Sequence, residues 1–136
     1  MSPMGGIGTS QAPRRTVLLV EDEDKLREVI RRLLEMEGFH VLEAQNGATA
    51  LEILQDAAAH HVELVLTDLR MPVMDGRQLA AALARVRPDL PIVFMSGFTA
   101  QLMDLRLVSP HLVVLSKPFK NHDLLAIIKR ELERSA

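Results

Sequence analysis

Short apolar runs rich in β-branched residues recur at Thr16–Val20, Val62–Leu66, Ile92–Met95 and Leu112–Leu115, with a weaker run at His40–Glu43. They are continuous rather than alternating, the pattern of strands covered on both faces of a parallel sheet. Between them the apolar positions change to helical spacing. Leu26, Val29, Ile30, Leu33 and Leu34 share one face, with Asp24 placed to cap the start and Gly38 to end it. Ala50, Leu51, Ile53, Leu54 and Ala57 form a second face behind an Asn46-Gly47 turn. Leu79, Ala82, Leu83 and Val86 form a third, closed by Pro88. Leu102, Met103, Leu105 and Val108 predict a short fourth helix before Pro110. Leu124, Leu125, Ile127, Ile128 and Leu132 predict a fifth, with Asn121 as its cap. Five strands alternating with five helices define a doubly wound α/β domain with helices on both faces of the sheet.

Residues 1–15 break from this pattern. Gly5, Gly6, Gly8, Ser2, Ser10, Pro3 and Pro13 predict a flexible tail or linker, which leaves 16–136 as the domain. The whole chain of 136 residues is 48% hydrophobic and 25% charged, the balance of one soluble domain with a full core. The absence of cysteine excludes disulfides, cysteine-ligated zinc and thiol catalysis. A net charge of −2 gives no global reason to bind nucleic acid or an anionic membrane. No apolar run approaches the roughly 18 residues of a spanning helix, and no signal-peptide pattern opens the chain. The expected location is the cytoplasm, without membrane insertion or direct nucleic-acid contact.

In open α/β sheets, ligands bind beyond the carboxyl ends of the strands. The polar residues that follow each apolar run therefore matter. Glu21-Asp22-Glu23-Asp24 follow the first, Asp68 the Val62 run, Ser96-Gly97 the Ile92 run, and Ser116-Lys117-Pro118 the last. Each has a plain structural alternative as a cap, a turn or a solvated side chain. Together they deliver carboxylates, a hydroxyl and an ammonium to one edge. Two anions near 4 Å repel by roughly 4 kcal/mol at an effective dielectric of 20. Such crowding persists where a cation relieves it, and open, hard oxygen ligands suit Mg²⁺. A divalent metal, a carboxylate and a lysine together form a site for phosphoryl chemistry.

The segments Val17–Asp24, Leu64–Gly76, Phe94–Gly97 and Lys117–Phe119 resemble the receiver domain of two-component response regulators, in the right order and at the right separations. The resemblance implies a five-stranded, flavodoxin-like sheet of order 2-1-3-4-5. It implies that Asp68 is the phosphoacceptor, that Asp22 is a direct Mg²⁺ ligand with Glu21 acting through water, and that Asp68 and the Arg70 backbone carbonyl complete the set. Ser96 matches the hydroxyl that bonds a phosphoryl oxygen, and Lys117 the lysine that pairs with the acceptor and then with the phosphoryl group. Lys117-Pro118 resembles the family's cis peptide. The implied partners are a histidine kinase or phosphotransfer domain and an unspecified downstream protein. The implied output is a shift around the fourth helix, fifth strand and fifth helix. Met95–Thr99 resembles receivers appended to hybrid sensor kinases.

The sequence departs from the family pattern at three places. Glu21 replaces the first of two aspartates, and Ser96 replaces the more frequent threonine. Val114 stands where many receivers carry a Tyr or Phe whose rotation reports phosphorylation, with Phe98 a partial substitute. Arg70 and Phe98 occupy the flanking positions that tune acyl-phosphate lifetime. Two other readings compete. Asp22-Glu23-Asp24 imitates the Asp-x-Asp of haloacid-dehalogenase-type phosphatases, but Leu26 does not fit their pattern and no substrate-selecting cap has room. A receiver-shaped interaction module without phosphorylation is the other. His60-His61 lack metal-binding spacing, Met71, Met74, Met95 and Met103 read as packing residues, and the apolar 102–108 stretch offers a partner or homodimer surface.

Overall fold

Side chains that alternate along a strand point to opposite faces, and an inner strand here is buried on both. Every residue of Thr16–Val20 is buried; Val17 and Leu19 enter one core cluster, Leu18 and Val20 another. The computed structural model describes residues 14–56, 61–97 and 113–135. Its elements are β1 (Thr16–Val20), α1 (Asp24–Met36), β2 (His40–Ala44), α2 (Gly47–Gln55), β3 (Val62–Asp68), α3 (Gly76–Val86), β4 (Ile92–Ser96), β5 (Val113–Ser116) and α4 (Asn121–Ser135). All strand pairs are parallel, and the order is β2-β1-β3-β4-β5. This is the expected 2-1-3-4-5 topology. The predicted helix at 102–108 and nearly all of the predicted tail, residues 1–13, lie outside the described residues.

One core layer packs Ile30 and Leu34 of α1 and Leu124, Ile128 and Leu132 of α4 against Val17, Leu19, Leu64, Leu66, Val93 and Met95. The other packs Ala50 and Leu54 of α2 and Leu79 and Leu83 of α3 against Leu18, Val20, Val62 and Val65. Burial explains the strength of the sequence signal. β1, β3 and β4 are almost wholly buried, whereas β2, at the sheet edge, is exposed at His40 and Glu43 and carried the weaker run. Met95 is fully buried, and Met71 and Met74 pack against the second layer, as packing residues should. Arg15 already belongs to the fold, since its carbonyl accepts a hydrogen bond from the His40 amide at 2.9 Å.

Three local expectations change. Glu23, not Asp24, precedes α1, and Asp24 is the first helical residue, paired with Arg27 at 2.8 Å. The Glu23 amide is turned back to Glu21 Oε2 at 3.1 Å, which moves the helix start by one residue. Asn121 lies inside the first turn of α4, because the Lys120 carbonyl accepts from the Asp123 and Leu124 amides. Val29 sits at the margin of the α1 apolar face and is 62% exposed. Gly38 does end α1, with φ +96°, and Asn46 caps α2 by accepting from the Thr49 amide at 2.9 Å.

The loop from Leu69 to Asp75 is held down where α3 starts. Asp75 and Gln78 form a reciprocal capping box, with Asp75 Oδ1 accepting from the Gln78 amide at 2.9 Å and Gln78 Oε1 from the Asp75 amide at 3.0 Å. The Gly76 amide donates to the Leu69 carbonyl at 3.0 Å, and a Cβ on Gly76 would lie 2.4 Å from the Asp68 carbonyl oxygen. Only glycine permits that approach. At the loop's tip Val73 has φ 71° and is 81% exposed, so its side chain gains little packing for a left-handed backbone. Opposite effects follow from the two positions. Gly76→Ala is expected to destabilise by about 1–3 kcal/mol through overpacking. Val73→Gly is expected to stabilise by up to about 1 kcal/mol, the left-handed strain less the added chain entropy. Urea unfolding checks both signs, and a stable Gly76→Ala protein would contradict the close approach.

Candidate functional site

The parallel ladder continues one residue past the strands and fixes the backbone of the site. The Glu21 amide donates to the Ala44 carbonyl at 3.1 Å, the Leu69 amide to Met95 at 3.0 Å, and the Lys117 amide to Ser96 at 2.9 Å. Asp68 is the last residue of β3, two residues beyond the predicted end of that strand. With β3 between β1 and β4, Asp68 stands centrally. Glu21 and Asp22 lie on one side of it, Ser96 and Lys117 on the other. All line one cavity of ≈ 270 Å³ with Glu23, Leu69, Arg70, Met95 and Gly97. A larger hollow of ≈ 450 Å³ lies at the other end of the sheet, between Arg15 and Arg87, but the carboxylates and the lysine converge on the smaller one.

Glu21, Asp68 and Ser96 are buried and Asp22 is exposed. Carboxylate oxygens of Glu21, Asp22 and Asp68 lie within 4.8 Å of one another. Lys117 Nζ pairs with Asp68 Oδ1 and lies 3.2 Å from Glu21 Oε1. The Lys117–Pro118 peptide is cis. Three carboxylates thus face one ammonium. A small, hard divalent cation fits this donor set: the oxygens are close together, their charge exceeds what Lys117 supplies, and Asp22 leaves one side open to water. Arg70 is exposed at the rim beside Asp22. Val114 is half-buried, paired in register with Phe94 and packed with it and Leu69. Phe98 and His60 lie outside the described residues.

The charge crowding appears in the titration of these groups. Burial, reinforced by the Glu21 carboxylate, pushes the Asp68 carboxyl up to about 8 against the pull of Lys117. Burial would also raise Glu21, but hydrogen bonds from Asp68 and the Glu23 amide and the charge of Lys117 hold it below its usual value. Burial would lower Lys117, and its two carboxylate partners raise it instead. Burial and the neighbouring Glu21 thus oppose ionisation of Asp68, and its ion pair with Lys117 favours it.

The sequence analysis missed residues that place these groups rather than react. Gly76 and Asp75, quoted only as part of a motif, dock the loop after Asp68. Arg27 donates to the Glu21 carbonyl at 2.8 Å, and nothing in the sequence distinguishes it from the other arginines of α1.

A doubly wound α/β domain with an acidic cluster, a hydroxyl and a lysine beyond its strand ends has the parts of a site for phosphoryl chemistry. Residues 17–129 match the family model "Response regulator receiver domain", and the chain belongs to that family. It is 40% identical over 119 residues to the response regulator receiver protein CpdR of Brucella abortus (strain 2308), covering 87% of this chain and 97% of that one. It is 38% identical over 120 residues to the sensor kinase CckA of the same organism, covering 88% of this chain but 13% of that one. Among solved structures, a response regulator receiver protein from Sinorhizobium medicae WSM419 aligns with TM-score 0.80 and 32% identity, covering 90% of this chain and 98% of that one. The receiver domain of the hybrid histidine kinase CckA aligns with TM-score 0.72 and 32% identity, covering 86% and 98%. The chain is thus a two-component signalling module of the phosphoacceptor kind. Among the described residues, no helix is long and apolar enough to cross a membrane.

A carboxyl whose pKa is raised on folding stabilises the fold below its unfolded pKa, and that stabilisation is lost as pH rises through the folded value. For Asp68 the window runs from the model-compound value of 3.8 to about 8. In a chelator, the thermal midpoint is expected to fall from pH 5 to pH 8 more steeply in the native protein than in Asp68→Asn. Scanning calorimetry gives the slopes, and equal slopes would contradict the crowding.

Proposed function

We propose that the protein is a phosphorylation-controlled switch in which Asp68 takes a phosphoryl group from the phosphohistidine of a histidine kinase or phosphotransfer domain. The observation that carries this reading is Lys117 set against both Glu21 and Asp68, with Asp22 at the open side of the same cavity. A carboxylate oxygen of Asp68 forms the new O–P bond while the P–N bond to the donor imidazole breaks. The electron pair leaves with the imidazole nitrogen, and the product is an aspartyl phosphate. Such transfers are catalysed almost entirely by positioning and charge neutralisation. Asp68 is positioned by its place in β3 and by the loop docked at Gly76. Lys117 neutralises the acceptor first and the phosphoryl oxygens afterwards. The Ser96 hydroxyl donates to one of those oxygens. Mg²⁺, held by Asp22, Asp68 and the Arg70 carbonyl with Glu21 acting through water, would supply further positive charge to the moving group.

Phosphorylation adds roughly −1.5 to −2 of charge at Asp68. Ser96 and Lys117 are joined by a backbone hydrogen bond, so a movement of either toward the phosphoryl group is shared. That coupling carries the change to the loop after β4, to β5 and to α4. Val114 has no ring to rotate, which leaves the backbone as the route. Water attack on the acyl phosphate resets the switch, and Arg70 at the rim hinders it. The signalling domain is a cytoplasmic one that covers residues 16–136 together with Arg15, which is tied to β2, and the residues before it serve as the linker. The same chemistry serves a stand-alone receiver or one joined to a kinase.

Intact-mass spectrometry after incubation with Mg²⁺ and a small phosphodonor tests the reading. The native chain is expected to gain one phosphoryl group, and Asp68→Asn or the chelated protein none. Label on Asp68→Asn would place the nucleophile elsewhere, with Asp22 the first alternative. No label on native protein that binds Mg²⁺ and meets a competent kinase would favour the interaction module. Separately, Arg70→Ala is expected to lose its acyl phosphate faster than the native chain, and an unchanged half-life would remove Arg70 from that role.

A further inference from the structure

Three segments meet at the side chain of Arg27, in the first turn of α1. Its Nη1 donates to the Glu21 carbonyl at 2.8 Å, its Nη2 pairs with Asp24 Oδ1 at 2.8 Å, and its Nε lies 3.4 Å from Glu43 Oε1 on β2. The side chain is only 14% exposed. Glu43 is held in turn by Arg31, whose Nε lies 3.5 Å from Oε2 and whose Nη1 pairs with Glu35 at 2.8 Å. The Glu21 amide is already fixed to the Ala44 carbonyl. Glu21 is therefore tied at both ends, by the β2 backbone at its N–H and by Arg27 at its carbonyl. The turn that follows closes with the Glu23 amide on Glu21 Oε2.

We infer that Arg27 is a positioning residue for the acidic cluster: its guanidinium clamps the Glu21–Asp24 turn to β2 and so holds Glu21 and Asp22 against Asp68. The inference rests on the reading of that cluster as a Mg²⁺ site. The rigid fork of five N–H donors is what the geometry uses, since one group meets a carbonyl and two carboxylates in three directions. A lysine ammonium cannot span them. Clamping and simple charge have opposite signs. A guanidinium near a divalent-metal site repels the metal, so as a charge alone its removal tightens Mg²⁺ binding. As a clamp, its removal loosens the ligands and weakens binding. Residues behind a ligand set typically change metal affinity by about 10–100-fold.

The test is calorimetric titration of Mg²⁺ into the native protein, Arg27→Ala, Arg27→Lys and Glu43→Gln, with amide hydrogen exchange of Glu23 in metal-free samples. Arg27→Ala is expected to weaken Mg²⁺ by roughly tenfold or more and to speed Glu23 exchange without metal. Arg27→Lys is expected not to restore either quantity. Glu43→Gln, which removes only the outer anchor, is expected to shift both in the same direction by less, and it serves if Arg27→Ala does not fold. Unchanged or tighter Mg²⁺ binding in the folded variants, or full rescue by lysine, overturns the inference. A native protein that binds no Mg²⁺ would instead overturn the reading of the cluster, and the clamp's link to the metal with it.

Discussion

Three carboxylates facing one ammonium is the constraint on which the site depends. Glu21 and Asp68 are both buried, and Lys117 touches both. Like charges this close in a poorly solvated place cannot both ionise without help. Lys117 relieves part of the conflict by pairing with both carboxylates, and burial still holds Asp68 above the usual carboxylate range. A divalent cation among the same three carboxylates would relieve the remainder.

The rest of the architecture keeps those side chains from relaxing apart. Central strands buried on both faces give the site a rigid floor. The parallel ladder runs past β1, β3 and β5 into the residues that follow, so the site is built on sheet backbone rather than free loops. Gly76 presses α3 against the carbonyl of Asp68, and the Asp75–Gln78 box fixes the angle of that approach. Strain that would normally disperse is held in place, and the exposed left-handed Val73 shows that the loop's path is set by its two ends.

The fold was legible because the central strands are buried on both sides and read as unbroken apolar runs, while Ile30, Leu34, Leu124 and Ile128 keep helical spacing. Only the edges blurred. His40–Ala44 is an edge strand exposed at His40 and Glu43, and the caps of α1 and α4 depend on where Glu23 and Lys120 direct their backbone groups, which residue type does not encode. The site was legible for a different reason: polar residues directly after apolar strands have nowhere to go but one edge. Glu21, Asp22, Asp68, Ser96 and Lys117 were found that way. Arg27 and Gly76 were not singled out, because their roles are contacts between segments distant in sequence. Gly47 was read only as part of a turn, whereas a Cβ there would also meet the Met74 carbonyl at 2.7 Å.

The same geometry explains why such a site suits a switch better than a turnover enzyme. The cavity is small, its walls are strand ends, and Asp68 sits at the end of the central strand, where any change of charge is felt by two neighbours. On the proposed chemistry, a phosphoryl group placed at Asp68 takes Lys117 and Ser96 as its partners. Lys117 then has less to give Glu21, and Ser96 is drawn from its resting contacts at the end of β4. Both residues begin the segments that lead to the loop after β4 and to α4. On that reading, charge added at one atom is felt by two backbone segments already joined by the Lys117–Ser96 hydrogen bond.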